Sequence, residues 1–162
     1  MAISLPRKVA LLTALMAWPT LAHANIGDDL TTLRHRYGSA KDMNGQMLFE
    51  VRFLQGQIVP GRDSANPQEH FTVTVYFDGD VSAMEVFTRN TSDPVKAALK
   101  QSDIDTILDA TSEGYKWYPI QLPSGRPTWV RSDNKLIARF DPSKSDKADD
   151  ASVLVIMLYT KK

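Results

Sequence analysis

Apolar residues recur along this chain with two periods, and the switches between them divide it into elements. In QMLFEVRFLQG, Met47, Phe49, Val51 and Phe53 alternate with Leu48, Glu50, Arg52 and Leu54, which predicts a strand with the first set turned inward. HFTVTVYFDGD repeats the alternation with Phe71, Val73, Val75 and Phe77, and Asp78-Gly79 predicts a tight turn into VSAMEVFTR. Helical spacing appears twice. Leu30, Leu33 and Tyr37 share one face of a first helix, with Asp28 as cap, Ile26 stapling its first turn, Arg34 and Arg36 suiting its C-terminal dipole, and Gly38 as its stop. Ile104, Ile107, Leu108 and Thr111 share a face of a second, with Ser102 and Asp105 as a capping box and Gly114 as the stop. Asp93-Pro94 is expected to open a short helical stretch, VKAALKQ, just before it.

Four further strands follow in YKWYPIQ, PTWVRSD, NKLIARFD and SVLVIMLYT, with turns at Ser124-Gly125 and Asp133-Asn134. The last run is apolar on both faces and so belongs at the centre of a sheet. GQIVPGRDSANPQEH, residues 56–70, is longer than an ordinary hairpin loop and is expected to be a surface segment. These elements predict an α+β fold, an antiparallel sheet with helices packed on one side. The order helix then strands occurs twice, over 26–90 and 93–160, so residues 25–162 are expected to form one domain or two helix-plus-meander units sharing one core.

Composition adds a compartment. The first 24 residues place Arg7 and Lys8 before an apolar run from Val9 to Trp18, then Pro19 and the small-residue pattern Ala22-His23-Ala24. That is the layout of a secretory signal cleaved after Ala24, which predicts an exported protein, periplasmic or secreted. The apolar run falls well short of the roughly 20 residues that span a bilayer, so no integral membrane segment is expected after cleavage. Loss of Arg7 and Lys8 turns a neutral chain slightly acidic, which leaves no cationic field for nucleic acid. With no cysteine, disulfides and thiolate chemistry are excluded.

Arg36-Tyr37-Gly38 after an exported leader, Trp129-Val130-Arg131-Ser132-Asp133, and the apolar terminal strand resemble small exported bacterial proteins built on a helix-plus-meander plan. At the level of fold the order is also similar to the β-lactamase inhibitory protein and the small outer-membrane assembly lipoproteins. This chain lacks the disulfides of the former and the lipidated cysteine of the latter. The resemblance implies a binding module.

Catalytic signatures are missing from the motifs. Only His35 and His70 follow the leader, and no HExxH, nucleophile elbow, phosphate-cradling loop, calcium loop or other cofactor motif occurs. Asp78 with Asp80, and Asp149 with Asp150, flank turns, where aspartate serves the backbone. The densest aromatic stretch, SEGYKWYPIQLPSGRPTWVRSD, remains. A two-residue turn at Ser124-Gly125 would place Tyr118, Ile120, Leu122, Trp129 and Arg131 on one face and Trp117, Pro119, Thr128 and Val130 on the other. Trp129, across from Ala138, then belongs to the core. Tyr115 and Trp117 become the exposed pair suited to a sugar or a protein partner. Arg62 and His70, from the 56–70 segment and its end, join them as candidate binding residues. The expectation is a non-catalytic binding module of the bacterial envelope acting on a protein or glycan; the alternative is a hydrolase using scattered carboxylates and His70.

Overall fold

The computed structural model describes residues 26–61, 70–90, 97–142 and 152–159. The expected leader, Arg62, the opening of the expected 93–101 helical stretch, and the Asp149-Asp150 pair lie outside them. The chain runs α1 (Leu30–Tyr37), β1 (Ala40–Met43), β2 (Gln46–Leu54), β3 (Gln57–Pro60), β4 (His70–Asp78), β5 (Val81–Arg89), α2 (Gln101–Ala110), β6 (Trp117–Ile120), β7 (Thr128–Arg131), β8 (Leu136–Asp141) and β9 (Val153–Leu158). The architecture is α+β, as the periodicity predicts.

The nine strands of the described residues join one antiparallel sheet in the order β1-β2-β4-β5-β9-β8-β7-β6, with β3 beside β2. β1 and β3 lie successively along the same side of β2, each reached by a two-residue turn, Asn44-Gly45 and Gln55-Gly56. Both residues of each turn have positive φ, the conformation that matches the twist of a tight hairpin. These two short strands are absent from the sequence-based expectation, which left 57–60 in a loop. Gly61 follows β3 and donates its N–H to Glu50 O at 2.8 Å. A Cβ there would meet the Glu50 carbonyl at 3.0 Å, so only glycine lets the two backbones come this close.

Met47, Phe49, Val51 and Phe53 face inward, as do Phe71, Val73, Val75 and Phe77. They pack with Leu33 and Tyr37 of α1 and with Ile104, Ile107 and Leu108 of α2, so both helices cover the same face. The Tyr37 ring meets Phe49 edge-on at 5.4 Å. Asp29 rather than Asp28 caps α1, accepting from Thr32 N at 2.7 Å, and Gly38 ends it at φ 90°. α2 begins at Gln101, and Asp103 accepts from Lys100 N at 2.8 Å. Residues 97–100 are not helical, contrary to the expected extension. Instead the buried Leu99 donates its N–H to Ser152 Oγ at 2.6 Å, tying the entry of α2 to that of β9. β9 lies between β5 and β8, the central place that its apolar faces required.

The β6–β7 register departs from expectation by one residue. Pro119 pairs with Trp129 and Ile120 with Thr128, because the loop between the strands spans residues 121–127 rather than two. An odd loop exchanges the faces of one strand relative to the other. Trp117 therefore joins Trp129 and Arg131 on the helix-covered face, and Tyr118 moves to the opposite one.

Candidate functional site

The groove between α2 and β6 is the site that gathers the aromatic residues. Asp105, Leu108, Asp109 and Ser112 recur at helical spacing and form one wall. Tyr115, Lys116, Trp117, Tyr118, Pro119 and Trp129 form the other, around a volume of about 460 Å³. Tyr115 is 45% exposed and Tyr118 54%. Trp117 and Trp129 are half-buried and rest against the core. Two indole rings thus form a floor held by packing, Tyr115 forms a rim open to solvent, and Tyr118, on the far face of β6, borders the groove at its edge.

Tyr115 is held from beneath. The Arg131 guanidinium lies 5.2 Å from the centre of its ring, within cation–π range. Arg131 is only 3% exposed and is paired on several sides. It donates from Nε and NH2 to the two Asp133 oxygens at 3.1 and 2.8 Å, reaches Glu113 Oε2 at 3.0 Å, and donates to Thr111 O at 3.2 Å. Those hydrogen bonds hold the Asp133 carboxyl below the usual carboxylate range. Because Arg131 comes from β7 and Thr111 and Glu113 from the end of α2, this cluster fixes Tyr115 before any ligand arrives. In the sequence Arg131 shows only as a residue on the face shared with Trp129, and the one signal of its role, an arginine two residues before an aspartate, is a spacing too common to single out.

Pro119 fits the outer edge of β6, beside which no other described strand lies. Ser132 N donates to Lys116 O at 2.8 Å, so the even-numbered residues of β6 bond to β7 and Pro119 turns its nitrogen outward. No ladder bond is lost, and the outer edge lacks one donor.

A second polar group lies inside the other half of the sheet. Glu85 of β5, 1% exposed, accepts from Tyr37 Oη at 3.0 Å through Oε2, and its Oε1 has no partner among the described residues. Burial raises the carboxyl to about 7, against the opposing effects of Arg36 and the tyrosine hydrogen bond. Burial, with Glu85 beside it, likewise pushes the Tyr37 hydroxyl well above its ordinary value. A register shift in the β4–β5 pairing, between Tyr76 and Phe77, sets Ser82 opposite Phe77. The Ser82 hydroxyl and carbonyl accept from Gly27 N, and Ser82 N donates to Asp28 O. This docks the entry to α1, where Asp28 pairs with the buried Arg36. Arg36, which the sequence assigns to the C-terminal dipole of the helix, stands in its last turn and is also a buried counterion of Asp28.

Of the residues singled out from sequence, Tyr115 and Trp117 meet in the groove, but Trp117 is half-buried rather than free. Tyr118, assigned to the core face with Trp129, is the more exposed ring. His70 is half-buried at the start of β4, five strands from β6, and its Nε2 has no partner among the described residues. Asp78 closes β4, and Asp80 is the second of the two residues, after Gly79, that make the β4–β5 turn. No group of three potential metal ligands occurs among the described residues, and no described helix is long and apolar enough to cross a membrane. The chain matches no family model, no curated protein and no solved structure.

Proposed function

We propose that this is an exported, non-catalytic binding module of the bacterial envelope, which takes a protein or glycan partner in the groove between α2 and β6. The observation that carries this reading is the Tyr115 platform, exposed on one side and backed by a buried, multiply paired arginine on the other. Rigid aromatic surface of this kind loses little conformational entropy on binding and serves as an anchor at interfaces. The alternative, a hydrolase built on His70, has less support: the histidine bonds to no carboxylate among the described residues and stands far from the groove.

Capture from an envelope fraction tests the proposal. A component retained by the native chain should be lost with Tyr115→Ala/Tyr118→Ala, while Lys41→Ala, on the exposed β1, retains it. Both tyrosines are exposed, so the double variant should keep the native circular dichroism spectrum. Identical retention by the native chain and the folded double variant would remove the groove as the binding site.

A further inference from the structure

Resting on the reading of this groove as a binding site, we infer that its ligand is a cationic segment of a protein, with an arginine or lysine side chain laid across Tyr115 and between Asp105 and Asp109. The two aspartates sit one helical turn apart on the wall facing the aromatic residues. Side chains at this spacing have Cβ atoms roughly 5–6 Å apart, so one guanidinium or ammonium can reach both. Asp105 accepts one hydrogen bond, from Gln101 Nε2 at 2.8 Å. The Asp109 carboxylate has no partner among the described residues.

Charge favours the same occupant. Asp105 and Asp109 on the wall, with Glu113 and Asp133 beneath Tyr115, outnumber Lys116 and Arg131. Arg131 is consumed by its own carboxylates, which leaves Lys116 as the groove's one solvent-facing cation among the described residues. An anionic ligand would meet this excess of carboxylates. A neutral sugar could stack on Tyr115 but would draw nothing from the charge. A cation gains from both, because the ring face and the carboxylates attract it together. Arg131 already makes this contact on one side of Tyr115, and the exposed side offers the same chemistry to an incoming residue.

Tryptophan fluorescence gives a direct readout. The chain contains three tryptophans, and in the full chain carrying Trp18→Phe the remaining two, Trp117 and Trp129, both line the groove. Two probes are titrated: an acetylated, amidated hexa-arginine peptide and cellohexaose. The expected result is saturable emission change with the peptide and none with the sugar, with affinity falling as salt rises. Asp105→Asn/Asp109→Asn should weaken peptide binding about tenfold, the equivalent of about 1.4 kcal/mol. Lys116→Gln should strengthen it about twofold, since removing a like charge favours a cation. Circular dichroism establishes that each variant is folded, and either aspartate variant alone serves if the pair is not. Peptide binding indifferent to salt and to the aspartates overturns the assignment of a cation. Saturable binding of cellohexaose alone overturns it too, while leaving the groove as a binding site. Silence toward both probes overturns this inference together with the function on which it rests.

Discussion

Two buried ionisable side chains show how differently one chain can accommodate interior charge. Arg131 is matched by two carboxylates and a carbonyl, and its guanidinium is used to hold Tyr115. Glu85 has one hydrogen bond and an unpartnered oxygen, and burial lifts its carboxyl to about 7 from the ordinary 4.5. Between those values the folded chain holds a proton that the unfolded chain has released, so stability falls as pH rises through that interval and levels off above it. The loss is on the order of a few kcal/mol. Glu85→Gln keeps an acceptor for Tyr37 and cannot ionise; it should be less sensitive to pH than the native chain and more stable at pH 8. Urea melts at pH 5 and pH 8 measure this, and the same pH slope in both proteins would show that Glu85 is not the titrating group. Sequence alone displayed Glu85 only as a polar residue in VSAMEVFTR. Its burial follows from the neighbours β4 and β9 and from α1 laid above them.

Among the elements, β6 carries the most consequence for its length. It is an edge strand, and an edge with all its donors free is a template for pairing with another chain. Pro119 removes the N–H that would otherwise point outward from the middle of the strand. Pro119→Thr restores that donor without disturbing the β7 ladder, so the variant should keep its secondary structure and self-associate more readily. Sedimentation velocity over a concentration series checks this; a variant as monodisperse as the native chain would mean that Pro119 is not what protects the edge. The β6–β7 loop also marks the limit of local reading. Pro, Ser and Gly announced a turn, and Gly125 N does donate to Leu122 O at 2.9 Å, but loop parity cannot be read from turn residues alone. One residue of difference moved Trp117 inward and Tyr118 outward. α2 was easier, because Ile104, Ile107, Leu108 and Thr111 repeat over two turns and every one of them is buried.

For the whole molecule, the sheet topology determines how the halves depend on each other. β5 closes the first helix-plus-meander unit and β9 the second, and these two pair antiparallel over five residue positions. Glu85 and Phe87 lie beside Ile156 and Leu154 across that seam, so the apolar cluster is continuous through it. The halves should therefore unfold together. In urea, Trp117 and Trp129 report the C-terminal half, while far-ultraviolet circular dichroism reports the whole sheet; in the Trp18→Phe chain both should give one midpoint. Two separated midpoints would establish that each unit holds its own core.

The sequence by itself determined which faces of the long strands and helices turn inward, the central place of the last strand, and the α+β class, because these follow from side-chain period and apolar content within a single element. The tertiary structure alone decided the register of β6 against β7, the burial of Glu85 and Arg36, and the support of Tyr115 by Arg131. Each depends on contacts between residues distant along the chain, such as Tyr37 with Glu85 and Thr111 with Arg131. Periodicity within an element carries no information about which partner will stand opposite it.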